Sequence, residues 1–201
     1  VEGFDAGAKA AIIATVAFGA RVVAGDVYHE GISGITVADI EFAADLQHCI
    51  KLLAVVEQTR ASDGGLQIGV RVHPTLVPLD HPLASVRGSF NAVFVEGGAS
   101  GDLMFYGRGA GGRPTASAVL GDLIDAAGNL RRGHGAPIGA LERARIAPID
   151  DVTSAFYLNV EVDDRPGVLA QVATVFGENG VSIRSMEQEG LGREARLVFI
   201  T

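Results

Sequence analysis

Two oppositely charged side chains near the start of the chain have a spacing that could support chemistry. Asp5 and Lys9 lie four residues apart in the stretch Gly3-Phe4-Asp5-Ala6-Gly7-Ala8-Lys9. In a helix, this spacing places both side chains on one face, about 5–6 Å apart at Cβ. A lysine ammonium can stabilise and protonate a developing oxyanion, and a carboxylate can bind an ammonium group. An acid one turn before a lysine also suits an ordinary stabilising ion pair, and spacing alone favours that interpretation.

A glycine-rich stretch in the middle of the chain has the form of a nucleotide-binding loop. Gly107-Arg108-Gly109-Ala110-Gly111-Gly112 matches G-x-G-x-x-G, lies after a short apolar strand and leads into a predicted helix. A Rossmann unit needs a second parallel strand after that helix, whereas a stretch rich in glycine, arginine and proline follows here. We therefore favour a turn whose glycines let backbone segments pass closely, with a self-contained dinucleotide-binding unit as the weaker alternative.

Hydrophobic periodicity predicts the elements that must position these residues. Residues 10–20 carry no charge, which is typical of a helix covered on most sides. Between residues 50 and 106, apolar alternation and glycine-rich turns predict at least four strands. We expect an α+β domain over residues 1–130, an open mixed or antiparallel sheet with helices on one face. The predicted helices cover residues 5–21, 37–46 and 115–127, and the predicted strands cover residues 50–60, 66–73, 91–95 and 102–106.

The remaining residues predict a linker and a smaller second domain. Residues 131–152 are rich in arginine, glycine and proline and are interpreted as the linker. Residues 153–201 have the order strand, helix, strand, strand, with the second strand starting at residue 181. This order gives the first four of the six elements of a ferredoxin-like unit. Because the closing helix and strand are missing, we expect residues 152–201 to be poorly folded or domain-swapped.

Composition excludes several classes of function. The formal net charge of −8 over 201 residues argues against nucleic acid and against an anionic membrane surface as partners. The longest uncharged run is shorter than the ~20 residues of a membrane-spanning helix. Cys49 is the only cysteine, so an intrachain disulfide is impossible, which fits a reducing cytoplasm. The five histidines have no metal-ligand spacing, so no metal site is predicted.

Several motifs together resemble one enzyme family over nearly the whole chain. The Gly-x-Asp-x-x-x-Lys pattern at the start and the Gly-x-Gly-Ala-Gly-x-x-Pro-Thr-Ala pattern at residues 107–116 resemble homoserine dehydrogenases. Residues 153–201 are similar to an ACT domain, the amino-acid-binding regulatory module of many bacterial members. Further stretches that look like landmarks of the enzyme family or of the ACT domain are Glu30-Gly31-Ile32, Lys51-Leu52-Leu53, Arg71-Val72-His73-Pro74, Asn91-Ala92-Val93, Asp164-Arg165-Pro166-Gly167-Val168-Leu169 and Asn179-Gly180-Val181.

This resemblance implies an activity and roles for three residues. The parent enzyme would interconvert L-homoserine and L-aspartate-4-semialdehyde with NADP or NAD, in the biosynthesis of threonine and methionine. Lys9 would handle the proton as the catalytic residue, Asp5 would bind the substrate, and the backbone of Gly111 would contact the cofactor near its nicotinamide. The nucleotide-binding half of such an enzyme is absent. We therefore interpret the chain as a piece of a longer cytoplasmic protein and expect the piece itself to be inactive.

The resemblance also implies regulation, and the pattern of the sheet residues predicts an assembly. Threonine is the expected effector, bound at the turn between the first strand and the helix of the ACT-like segment, with Asp164, Gly167 and Asn179 as candidate contacts. The half-exposed sheet of residues 50–106 has no obvious second layer in this chain, so we expect it to pair in a homodimer. The alternative hypothesis is a non-enzymatic amino-acid sensor in which the first domain is only a dimerisation platform.

Overall fold

The computed structural model describes residues 2–135, 141–190, 192 and 194–201. It divides into two compact units, residues 1–150 and residues 151–201. No helix in these described ranges combines the length and the apolar character needed to cross a membrane. The first unit contains α1 (Phe4–Phe18), β1 (Tyr28–His29), α2 (Val37–Asp45), β2 (His48–Arg60), β3 (Leu66–Pro78), β4 (Phe90–Gly97), β5 (Gly101–Arg108) and α3 (Gly112–Arg132). The second unit contains β6 (Tyr157–Asp163), α4 (Val168–Glu178), β7 (Ser185–Gly190) and β8 (Glu194–Ile200).

The main sheet of the first unit has the strand order β1-β3-β2. β2 and β3 form a long antiparallel hairpin from His48↔Pro78 to Arg60↔Leu66, and β1 lies parallel to β3. The prediction that Pro74 ends β3 is wrong, because the strand continues to Pro78. β1 ends opposite Val72, so the edge of β3 beyond that point has no paired strand among the described residues. A proline is tolerated at such an edge because its missing N–H breaks no ladder hydrogen bond.

α1 packs on this sheet through its smallest residues. Gly7, Ala10, Ala11 and Ala14 are buried, in a core that includes Ile68, Val70 and Val72 of β3. The absence of large side chains on this face lets the helix lie close to the strand. The prediction that the helix is covered on most sides is wrong for this chain, because its opposite face is exposed. The helix also ends at Phe18 rather than near residue 21, since Gly19 adopts the left-handed conformation (φ 63°) and its N–H donates to the carbonyl of Thr15.

α2 begins as the sequence predicted. Thr36 caps it by accepting a hydrogen bond from the N–H of Asp39, while the Asp39 carboxylate accepts one from the N–H of Thr36 at 2.7 Å. The helix packs against β2, so α1 and α2 supply the helical layer of the main sheet. The α+β class with an open sheet is confirmed.

The four long strands of the first unit do not form one sheet in the part of the chain that the structure describes. There, β4 and β5 pair with each other and with no other strand, from Phe90↔Arg108 to Gly97↔Gly101. One face of this ribbon lies next to the short 3₁₀ turn of residues 82–85, where the His81 and Phe94 rings contact at 4.7 Å. Its other face is apolar and exposed, and consists of Val93, Val95, Leu103 and Phe105. We call this second surface the bare ribbon face.

α3 is longer than predicted and covers nothing within the described residues. It runs from Gly112 to Arg132, through Gly128, and ends at Gly133 in the left-handed conformation (φ 70°). None of its residues is buried. Its exposed apolar side chains are Val119, Leu120, Leu123, Ile124 and Leu130.

Part of the predicted linker belongs to the first unit. The segment 142–147 accepts hydrogen bonds from Arg21 N–H at the carbonyl of Glu142 (2.7 Å) and from Ile68 N–H at the carbonyl of Arg145 (2.8 Å). Ala144 and Ile146 pack against the core under α1. Residues 136–140 of the same predicted linker lie outside the described residues. The chain therefore returns from α3 to the main sheet before the second unit begins.

The second unit forms an antiparallel sheet of order β6-β8-β7 with α4 beside it. Leu197 and Phe199 of β8 are fully buried, and the Phe199 ring meets the Phe176 ring of α4 at 5.1 Å. The expectation of a poorly folded segment is not met in the described residues, because the central strand β8 buries its apolar face there. The alternative of a domain-swapped segment stays a prediction. The second strand also begins at Ser185 and not at residue 181.

The ion pair between Asp63, in the turn between β2 and β3, and Arg145 gives a pH-dependent test of how segment 142–147 packs on the rest of the first unit. Its carboxylate accepts hydrogen bonds from the Arg145 guanidinium (2.6 Å) and from the N–H of Gly65 (2.9 Å), which lower the pKa of Asp63 below its usual value of 3.8. A carboxyl with a depressed folded-state pKa stabilises the fold above its unfolded pKa, and this contribution is lost as the pH falls through the folded pKa.

We expect Asp63→Asn to lower stability slightly near neutral pH and to lose less stability than the wild type on acidification below about pH 4. Urea unfolding of this chain at neutral and acidic pH measures both effects, with Asp45→Asn, an exposed residue of α2, as the matched control. Equal acid sensitivity of Asp63→Asn and the wild type would contradict the prediction.

Candidate active site

The Asp5–Lys9 pair forms on the first two turns of α1. Gly3 caps the helix with φ 83°, and a Cβ at this residue would lie 2.7 Å from Cγ1 of Val72. Both the conformation and the space therefore require glycine. Asp5 follows in the first turn, where free backbone N–H groups favour a carboxylate. The Lys9 ammonium donates to Oδ2 of Asp5 at 2.6 Å, so the structure brings these two predicted site residues together.

This pair differs from an ordinary surface ion pair in its surroundings. The side chains of Asp5 and Lys9 are 85% and 63% exposed, so their attraction contributes little to stability. Ile12 and Val16, which share the same helix face, are each 65% exposed. Large apolar side chains beside an open charged pair are typical of a surface that contacts another molecule or domain.

Contacts below and beside the first turn were not visible in the sequence. Glu2 accepts a hydrogen bond from the Ser33 hydroxyl at 2.9 Å, and a Cβ at Gly31 would lie 2.5 Å from the same carboxylate. The imidazole of His29 lies against Phe4, with ring centroids 5.1 Å apart. The backbone N–H of Glu30 donates to the carbonyl of Val72 at 2.8 Å, which continues the pairing of β1 with β3. These partners are more than twenty residues apart along the chain, so no local spacing could have identified them.

The glycine turn does not form a Rossmann unit. β5, which precedes it, is antiparallel to β4, and no described strand pairs with β5 in parallel. The self-contained dinucleotide-binding alternative is therefore wrong. A Cβ at Gly109 would overlap the side-chain amide of Asn91, so a side chain, not a second backbone segment, takes the room that this glycine leaves. Gly111 is the N-cap of α3, with φ 125° and ψ 151°.

Gly111 could offer a cofactor one backbone contact. Beyond the adjacent residues, only Pro114 among the described residues would lie within 4 Å of a Cβ at this position, with its Cδ at 3.5 Å, so a flat ring could approach the backbone. No hydrogen bond, ion pair or ring contact within the described ranges links this turn to Asp5 or Lys9. In the same ranges, no group of three or more His, Cys, Asp or Glu side chains could hold a metal ion.

A second candidate site lies in the second unit, at the turn between β6 and α4. An open cleft of about 350 Å³ is lined by this turn and by residues of β7 and β8, among them Asp164, Gly167 and Gln188. Gly167 caps α4 with φ 91°, so the cleft contains the N-terminus of a helix, which favours a carboxylate. The predicted contact Asn179 does not line this cleft. Its Nδ2 donates to the carbonyl of Val175 at 2.8 Å, where α4 ends.

Known proteins match both units. A family model for homoserine dehydrogenase matches residues 1–124, and a model for the ACT domain matches residues 156–201. The homoserine dehydrogenase of Corynebacterium glutamicum is 52% identical, over 100% of this chain and 45% of that protein. The homoserine dehydrogenase of Mycobacterium tuberculosis is 49% identical, over 100% of this chain and 47% of that protein.

The solved structures agree with the sequence comparisons. A homoserine dehydrogenase from Thiobacillus denitrificans superposes with a TM-score of 0.88 at 36% identity, over 100% of this chain and 46% of that chain. The chain therefore spans about half the length of the relatives it matches. The match over residues 1–124 includes α1 with its charged pair and the glycine turn before α3. The chain belongs to the homoserine dehydrogenase family.

Proposed function

We propose that the full-length protein interconverts L-homoserine and L-aspartate-4-semialdehyde with NADP or NAD, and that α1 binds the substrate and moves the proton. The observation that carries this proposal is the Asp5–Lys9 contact of 2.6 Å on an exposed, partly apolar helix face. The family match over residues 1–124 supports it. The alternative of a non-enzymatic amino-acid sensor, with the first unit as a dimerisation platform only, gives Asp5 and Lys9 no role.

The chemistry of the two side chains divides between binding and proton transfer. In the reducing direction, Lys9 donates a proton from Nζ to the aldehyde oxygen as that oxygen gains negative charge. Asp5 accepts a charge-assisted hydrogen bond from the substrate ammonium, which selects an amino acid over a simple aldehyde. A carboxylate has about four acceptor positions, so Asp5 can keep its bond to Lys9 while it binds the ammonium. The high exposure of both side chains leaves room for a substrate beside the pair.

Gly111 is the residue of this chain that would contact the cofactor. When bound, NAD(P)H supplies the hydride that the aldehyde carbon receives. The open backbone at Gly111 fits one contact with a flat ring. The remaining contacts require a dinucleotide-binding unit, which the described residues do not contain, and we assign them to the rest of the longer protein.

The second unit acts as the regulatory site in this proposal, with threonine as effector. The cleft beside Gly167 combines the N-terminus of α4 with the polar side chains of Asp164 and Gln188. The helix N-terminus would bind the carboxylate of an amino acid, and the Asp164 carboxylate could accept from its ammonium. Asp164 and Gly167 remain candidate effector contacts. Asn179 remains only as a residue that shapes the end of α4.

We also propose that the first unit forms a homodimer. The bare ribbon face exposes four apolar side chains side by side, which is unusual for a monomer surface that meets only water. A two-fold axis would let the same face of a second copy cover it.

The catalytic roles predict different kinetic effects for the two charged residues. In the full-length enzyme, Lys9→Ala should lower kcat by about 10²–10⁴, the usual effect of losing a positioned proton donor. Asp5→Asn should act mainly on the KM for homoserine, because it removes the charge that binds the ammonium. Steady-state kinetics measures both, with Glu41→Ala on the exposed face of α2 as the control. Near-normal turnover by Lys9→Ala would rule out its role.

The dimer prediction concerns the bare ribbon face. We expect this chain to be a dimer at micromolar concentration and Phe105→Glu to shift it toward monomer, because a buried unpaired carboxylate is costly. Light scattering at several concentrations measures the mass. Val37→Glu, at an equally exposed apolar residue of α2, is the matched control and should remain dimeric. A monomeric wild type would refute the proposal.

The regulatory prediction concerns Gly167. A valine at φ 91° is strained, so it would distort the turn that lines the cleft. In the full-length enzyme, Gly167→Val should therefore relieve threonine inhibition while leaving kcat nearly unchanged. Gly177→Ala, a glycine of the same helix with open space around it, should inhibit like the wild type. Unchanged inhibition of Gly167→Val would show that threonine does not use this cleft.

A further inference from the structure

The imidazole of His29 fills a notch that Gly7 leaves in α1. A Cβ at Gly7 would overlap the ring, lying 2.9 Å from Cε1 of His29. The ring also contacts Phe4, with centroids 5.1 Å apart. His29 therefore touches two residues of the first turns of α1, on the side of the helix that faces the sheet. No residue larger than glycine could occupy position 7 while the imidazole keeps this place.

The sheet fixes the position of His29. β1 pairs with β3 so that His29 lies opposite Val72, a residue with no exposed surface. The hydrogen bond from Glu30 N–H to the Val72 carbonyl continues this pairing at 2.8 Å. Val72 also limits the space at the N-cap residue Gly3. Two contacts thus fix the start of α1 relative to β3. Gly3 packs directly on Val72, and Gly7 packs on His29, which pairs with Val72.

The ring acts by its shape and not through a hydrogen bond of its inner nitrogen. Nε2 of His29 is buried and has no hydrogen-bond partner among the described residues. A buried polar atom without a partner destabilises a fold, so its presence needs an explanation other than hydrogen bonding. Close packing in the Gly7 notch provides one, because tight contacts fix the position of neighbouring elements.

The two charged residues of α1 depend on this contact to different degrees. Asp5 lies between Phe4 and Gly7, the two residues that the imidazole touches. Lys9 lies next to Ala10 and Ala11, which are buried in the core together with Ala14. Loss of the ring would therefore loosen the turn that carries Asp5, while the turn that carries Lys9 stays packed.

We propose that His29 is a positioning residue, which holds Asp5 in its substrate-binding place by filling the notch at Gly7. The proposal rests on the proposed function, because it assigns the effect on substrate binding to Asp5. It adds a residue from β1, on the opposite side of α1 from the charged pair, to the determinants of substrate affinity.

The test is a split between KM and kcat in the full-length enzyme. His29→Ala should raise the KM for homoserine about 10-fold, because a small misplacement of a binding group is enough to weaken the productive complex. Its kcat at saturating homoserine should stay within about twofold of the wild type, since Lys9 remains fixed. A merely structural loss would reduce the amount of active enzyme, and so kcat, at unchanged KM. An unchanged KM for His29→Ala would overturn the proposal.

A second set of variants keeps the test valid if His29→Ala folds poorly. Gly7→Ala places a methyl group against the imidazole and should raise KM in the same way. The double variant Gly7→Ala/His29→Ala should recover toward the wild-type KM, because the new methyl occupies the space that the ring vacates. Gly25→Ala, at a glycine with open space around it, is the control and should match the wild type. A double variant no better than Gly7→Ala alone would overturn the proposal.

Asp5→Asn separates this inference from the proposed function. If Asp5→Asn raises KM and His29→Ala does not, the role of His29 is refuted and the role of Asp5 stands. If Asp5→Asn leaves KM unchanged, the proposed function of the pair fails first, whatever His29→Ala does.

Discussion

The close approach of α1 to β3 is the contact on which the first unit depends. Glycine and alanine on one face of the helix let its backbone lie near Ile68, Val70 and Val72. Because this face of α1 packs on the sheet, the opposite face points outward, and it carries Asp5, Lys9, Ile12 and Val16. A larger side chain at any of the buried small positions would lift the helix and move the charged pair with it. The packing of α1 on β3 therefore fixes the position of the Asp5–Lys9 pair, although the pair itself contributes little to stability.

After α3 the chain returns to the main sheet, where segment 142–147 adds to the packing of α1 on β3 beyond the C-terminal end of α1. Segment 142–147 pairs with Arg21, just beyond α1, and with Ile68 of β3, and its Ala144 and Ile146 join the same core. Two ion pairs, Arg143–Asp26 and Arg145–Asp63, connect the segment to the rest of the first unit. The Arg145–Asp63 pair is exposed and adds little energy, whereas the Asp26 side chain is only 9% exposed. The second unit begins a few residues later, at position 151.

Three apolar surfaces of the first unit remain open to solvent. They are the outer face of α1, the bare ribbon face of β4 and β5, and the apolar side of α3. Exposed apolar area of this kind is typical of surfaces that become covered in an assembly. The matched relatives are about twice as long as this chain. The charged pair lies on one of these surfaces, so a partner that covers α1 would also remove water from Asp5 and Lys9 and strengthen electrostatic interactions at the pair.

The sequence by itself determined the features that depend on neighbouring residues. Helical spacing alone places Asp5 beside Lys9, the capping pattern at Thr36 predicts the start of α2, and the turn before α4 predicts the place of Asp164 and Gly167. Only the tertiary structure decided which strands share a sheet, that residues 142–147 join the first unit, and that His29 lies under Gly7. The physical reason is that these contacts join residues distant in sequence, as in the Arg143–Asp26 pair across 117 positions. Local periodicity carries no information about such partners, because their meeting depends on how the whole core packs.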